Sequence, residues 1–138
     1  MPGMQPARDD LGFTLVELLV TVVIIGILSV IAIPTFLSQR EKANERVAMQ
    51  DLRNTAVAIE GWSSTTGNVL SDLNGADETS PLLGSEGLRL GEWTRLDITV
   101  VASTYCIRGS HDKVPNRELR FRSNEGRVEV GALGSLPC

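Results

Sequence analysis

From Leu18 through Leu37 the chain runs for 20 residues without a charge, built mostly of Leu, Val and Ile. At about 1.5 Å per residue such a run makes a helix near 30 Å long, the thickness of a bilayer's hydrocarbon layer. A secretory signal peptide carries a shorter apolar core, roughly 7–15 residues, ahead of a small-residue cut site, and neither is present. A core helix of a soluble protein is the other reading, but a domain this small has too little chain to enclose such a run on all sides. The segment is therefore expected to lie in a membrane, leaving room in the 138 residues for one small soluble domain.

Charge narrows the partners. Lys+Arg 13 against Asp+Glu 17 gives −4, and the soluble part mixes the signs without a basic block, so a nucleic-acid surface is not indicated. Arg8 beside Asp9 and Asp10 precedes the apolar run, while Arg40, Lys42 and Arg46 follow it. The positive-inside rule thus does not favour a cytoplasmic N-terminus. The cysteines do. Cys106 and Cys138 are the only two and both lie beyond the membrane segment, which reads as an extracytoplasmic disulfide. Closing a loop of about 33 residues stabilises a head by roughly 3–4 kcal/mol in the chain-entropy description. The alternative is a pair of free thiols in a reducing compartment. A zinc site is disfavoured, because one His and two Cys cannot supply four ligands without carboxylates.

Glu17 stands one turn into the apolar helix, where an unpartnered carboxylate is expensive. If the chain is cut after Gly12, the new ammonium on Phe13 lies in the same first turn, and an identical neighbour can present its own. Such a pairing fixes the axial register between copies, the best attested role of a buried ion pair. The bland reading is a glutamate that stays near the headgroups and pairs with nothing.

Gly12-Phe13-Thr14-Leu15-Val16-Glu17, followed by the long apolar run broken only by Pro34, resembles the class III signal of type IV pilins and the related pseudopilins of type II secretion. The resemblance implies a membrane prepilin peptidase that cleaves after Gly12 and N-methylates Phe13. It also implies that Glu17 is the filament-register glutamate and Pro34 the family's helix-kinking proline. The leader is 12 residues, or nine if Met4 is the start, and Leu11 stands where the family usually carries Lys or Arg. On physical grounds Pro34 removes a backbone hydrogen bond and crowds the carbonyl of Val30, so a kink or local melting is expected there. Gly26 lowers helix propensity by about 1 kcal/mol relative to Ala. Together they mark the easiest stretch to unwind in a filament under tension, or else are tolerated as Gly and Pro are in many membrane helices.

Past Ser38 the chain turns charged and helix-favouring through Trp62, with Met49, Leu52, Ala56 and Ile59 on one face. Asp51-Leu52-Arg53-Asn54-Thr55-Ala56, then Trp62 and Gly67-Asn68, also resembles pilins and pseudopilins. Asp51 and Arg53 themselves read as a solvated face. Gly67 to Gly91 reads as a loop with a short helical turn near Ser71, and four strands follow: 96–101, 103–108, 118–122 and 126–130. Leu119 and Phe121 alternate with Arg120 and Arg122, which places the apolar pair on the helix and the arginines in water. Asn124-Glu125-Gly126 reads as a hairpin turn. The expected fold is α+β, one long helix whose second half packs on an antiparallel sheet of about four strands. The divisions are a leader 1–12, a membrane and filament-core helix 13–39, an amphipathic half 40–63 and a head 64–138. A Cys106–Cys138 bridge resembles the disulfide-bounded C-terminal region of many type IV pilins. Major pseudopilins commonly hold calcium instead, and no dense Asp/Asn cluster is evident in the final loops.

His111, between Ser110 and Asp112, brings together the residue types of a triad, but adjacent residues cannot converge as a triad must, and a solvated loop histidine is expected. No phosphate-binding glycine motif or set of metal ligands appears. The reading is a non-enzyme without cofactor. Three roles remain. The first is a pilus subunit that self-associates into a helical filament with the pilus assembly machinery and serves adhesion, twitching or DNA uptake. The second is a type II secretion pseudopilin. The third is a single-pass anchored binding domain that never polymerises. For a pilus subunit the expected location is the cytoplasmic membrane as precursor and the cell surface once assembled.

Overall fold

The computed structural model describes residues 13–65 and 67–138. A single long helix, α1, covers Leu15–Ser63. After a 3-10 turn at Leu70–Leu73 and a one-turn helix α2 at Pro81–Gly84, four strands follow: β1 Thr94–Val101, β2 Thr104–His111, β3 Arg117–Arg122 and β4 Arg127–Ala132. They form one antiparallel sheet in sequential order. The chain divides into two units, one ending at Ser38 and the other running Gln39–Cys138.

In the first unit the helix passes through Gly26 and Pro34 without a break. Hydroxyls in this stretch are spent on their own helix: Thr21 on the Leu18 carbonyl, Ser29 on that of Ile25, Thr35 on that of Ile31. A lipid-facing helix needs that economy, since hydrocarbon offers a hydroxyl no other partner.

In the second unit, alternation along the strands sends Leu96, Ile98, Ile107 and Leu119 against α1. Across the sheet, Ile98 pairs with Ile107, Ile107 with Phe121, and Phe121 with Val128, giving a continuous apolar row on the helix side. Leu52 and Ile59 of α1 meet this face with no exposure. Each such side chain contributes about 1.5–3 kcal/mol by leaving water. The neighbouring row is Leu96, Gly109, Leu119 and Val130, and a Cβ on Gly109 would run into the side chain of Leu52. Glycine here lets helix and sheet approach closely. Towards the C-terminal end of α1, Tyr105 donates to Glu60 Oε1 at 2.8 Å, and burial first, then Glu60, raises the phenol's pKa.

Four expectations need correction. The Gly67–Gly91 loop holds the expected turn near Ser71, but also α2 and two core residues, Leu73 and Leu83. Asp51 is not on a solvated face: it is 6% exposed and accepts from Gly91 N at 3.0 Å and from the Thr94 hydroxyl, tying helix to sheet. Arg53 is exposed as expected. Arg120 and Arg122 do lie opposite the core-facing residues, but they are not left to water. The C-terminal segment crosses that outer face, Arg120 is 8% exposed, and Pro137 O accepts from Arg120 at 2.7 Å and Arg122 at 2.8 Å. Arg120 also pairs with Glu129, Gly134 N donates to Glu118 at 3.0 Å, and Cys106 is bonded to Cys138 with Cα atoms 5.7 Å apart.

His111 is the fourth. β2 extends to it, it sits opposite Thr94, and it is 4% exposed, with Nδ1 accepting from Lys113 N at 3.2 Å. Burial holds its pKa below the ordinary 6.5, against a smaller opposing pull from Asp112. The unfolded chain therefore binds a proton more readily than the folded one. Stability tied to His111 is complete above 6.5 and is lost as pH falls from there through the lower folded-state value. Urea unfolding of the full chain at about pH 7.5 and about pH 5 is expected to show a drop that shrinks in His111→Gln. An equal drop in both proteins would refute the assignment.

The outer edge of β1 is sealed by the preceding loop. Gly75 N donates to Ile98 O at 2.8 Å and Ile98 N to Ala76 O at 2.9 Å. Asn74 accepts from Val100 N at 2.8 Å and Glu78 from Leu96 N at 3.1 Å, side chains standing in for a further strand.

Candidate functional site

The start of α1 is built on two residues. Thr14 precedes the first helical residue, and Glu17 is the third residue inside. Glu17 N donates to Thr14 Oγ1 at 3.2 Å, Thr14 N donates back to Glu17 Oε2 at 3.0 Å, and the Thr14 hydroxyl donates to the same oxygen at 2.7 Å. This reciprocal arrangement is a capping box, which satisfies backbone donors that the first turn otherwise leaves open. Its signature, Thr14-x-x-Glu17, is legible in the sequence, and reading Glu17 as a lone charge hides it. The carboxylate thus has a partner within its own chain. Both donors converge on Oε2, and Oε1 takes no hydrogen bond from the described residues.

Among the described residues, the stretch beyond this cap is mostly apolar and exposed. Phe13 is 81% exposed, and large apolar side chains as far as Leu37 stay at least 47% exposed. The helix is long and apolar enough to cross a membrane, and none of that stretch is buried. An exposed apolar cylinder bearing a half-satisfied carboxylate at one end can enter lipid or pack against other such helices. Gly26 has open space where a side chain would be. Gly12, the expected cut site, lies with the leader outside the described residues. Cys106 and Cys138 are joined in the second unit. Among the described residues no group of three or more His, Cys, Asp or Glu side chains is placed to hold a metal ion.

Residues 8–33 match the prokaryotic N-terminal methylation motif. The type II secretion system core protein G of Vibrio cholerae is 43% identical over 57 residues, 41% of this chain and 36% of that protein. Its Pseudomonas aeruginosa counterpart is 40% identical over 53 residues, 38% and 37% of the two chains. The chain thus spans little more than a third of these relatives. The type IV wide pilus major component PilA4 of Thermus thermophilus is matched much further, 32% identical over 106 residues, 75% of this chain and 76% of that one. The chain belongs to the type IV pilin and pseudopilin family. No solved structure is a significant match. For this pilin-family chain the α+β fold, the apolar N-terminal helix and the four-stranded antiparallel sheet agree with the sequence-based expectation.

Proposed function

We infer that this chain is a structural subunit of a type IV pilus. A prepilin peptidase removes residues 1–12 after Gly12 and methylates Phe13, and the subunit polymerises through residues 13–39. Residues 40–63 carry the head, 64–138, on the filament surface. In the isolated subunit the Thr14 cap gives Glu17 two donors, which lets the charge exist at the membrane boundary; in the filament Oε1 receives the ammonium of a neighbour's Phe13. The observation that carries this reading is reach: similarity to the wide-pilus component extends over 106 residues and so into the head, whereas similarity to core protein G covers 57 residues.

The higher identity over that shorter stretch, 43% against 32%, favours a second reading as a type II secretion pseudopilin. Shearing cells and sequencing the N-terminus of the released filament protein separates them. A pilus subunit is expected in the sheared fraction, beginning at N-methylated Phe13. Processed protein confined to the membrane, with a head that folds only with calcium, would favour the pseudopilin; an uncut chain would refute both.

A further inference from the structure

The face of α1 that points away from the sheet carries a row of cations. Lys42, Arg46 and Arg53, with Val57, fall within about 60° of arc on the helix. All four are exposed, Val57 at 72%, the highest for any large apolar residue of the second unit. Every arginine of the strands is held by a carboxylate of its own chain: Arg95, Arg108, Arg117, Arg120, Arg122 and Arg127. Among the described residues the row on α1 has no such partner. The one acid in line with it, Glu60, is engaged by Tyr105. Beside Val57 lies a groove of about 430 Å³ whose far wall includes Glu86 and Arg89.

The opposite charge is on a different part of the same head. Residues 67–92 carry five acids, Asp72, Asp77, Glu78, Glu86 and Glu92, against one base, Arg89. The last part of this segment runs along one flank of α1: Glu86 lies by Gly61, and Gly91 lies by Val47 and Asp51. Glu86 and Glu92 are exposed, and neither forms an ion pair with the described residues.

We propose that the Lys42–Arg46–Arg53–Val57 row is a docking surface for the Glu86–Glu92 flank of a second copy of this chain. In a filament their union is heterologous, each copy receiving a neighbour on one patch and offering the other to the next, and such a contact propagates as an open helical array where its rotation does not close into a ring. Val57 supplies apolar area at one end of the contact, and the charges set orientation and reject mismatched approach. This deepens the filament reading and rests on it.

The test uses the full chain in its own cells, with sheared filament yield and the amount of processed, disulfide-bonded subunit measured together. Reversing the row (Lys42→Glu, Arg46→Glu, Arg53→Glu) is expected to lower filament yield at least tenfold or so with the subunit level unchanged. Reversing the flank (Glu86→Lys, Glu92→Lys) does the same, and combining both sets restores yield to within about threefold of wild type. The neutral set (Lys42→Gln, Arg46→Gln, Arg53→Gln) keeps the face polar and gives an intermediate yield, which guards against a folding defect in the reversed chain. Normal filaments from the row-reversed chain, or no recovery in the combination, overturns the proposal. So does normal assembly accompanied by lost binding to phosphatidylglycerol vesicles, which would assign the row to anionic lipid instead. If the row variants assemble normally while Glu17→Gln does not, the filament reading stands and this surface alone fails; a wild-type chain that forms no filaments sinks both.

Discussion

Glu17→Gln is expected to reach the membrane at normal levels and to yield at least roughly tenfold fewer filaments. Removing one member of a desolvated pair leaves the other charge uncompensated at every subunit junction. The capping box makes the comparison sharper, because Glu17 has two roles at one position. Thr14→Ala removes the hydroxyl that donates to Oε2 and accepts from Glu17 N, yet it keeps the carboxylate charge. If the cap mattered most, Thr14→Ala would be the worse variant, since a glutamine at position 17 can still accept from Thr14 N and keep the capping box. The ion-pair reading instead expects Thr14→Ala to assemble with a modest deficit and Glu17→Gln to fail. Filaments of ordinary number and length from Glu17→Gln would end the register argument.

Cys138→Ser carries the second large effect. The bridge closes a loop with a sequence separation of 32. Its loss is expected to destabilise the head by roughly 3–4 kcal/mol, a fall in Tm of more than about 10 °C. The C-terminal segment it secures also covers Arg120 and Arg122, so its release lets water reach guanidinium groups that now donate to Pro137 O. Thermal melts of the detergent-solubilised full chain, with and without reductant, measure this. Reduced wild type should melt like Cys138→Ser. A variant that melts low beside a reduced wild type that does not would point to a packing defect introduced by the serine rather than to loss of the cross-link.

What sequence reading reaches and what it misses divide along physical lines. Local periodicity is sufficient for the helix face at Leu52, Ala56 and Ile59 and for the alternation of Leu119 and Phe121, since each reports only on which side of its own element is apolar. Three of the misses depend on a partner far away in the chain. Asp51 reads as solvated because its donors, Gly91 and Thr94, arrive 40 and 43 residues later. Arg120 reads as wet because the segment that covers it arrives 17 residues later. His111 reads as a loop residue because nothing near it signals that β2 continues to pair with β1 as far as Thr94. Two signals are local and legible: Ser80-Pro81 at the start of α2, with proline at the first helical position, and the Thr14-x-x-Glu17 cap.

The sealed margin of β1 bears on life inside a polymer. In the proposed filament stacked heads would meet their neighbours at concentrations no free protein experiences, where an open strand would invite backbone zippering into aggregates that cannot be taken apart. Asn74, Ala76 and Glu78 already occupy the ladder positions a foreign strand would need, while β4, at the other margin, alternates Arg127 and Glu129 with its valines. Subunits guarded this way can be crowded side by side and still separate, leaving cohesion to side chains whose pairing is specific and reversible.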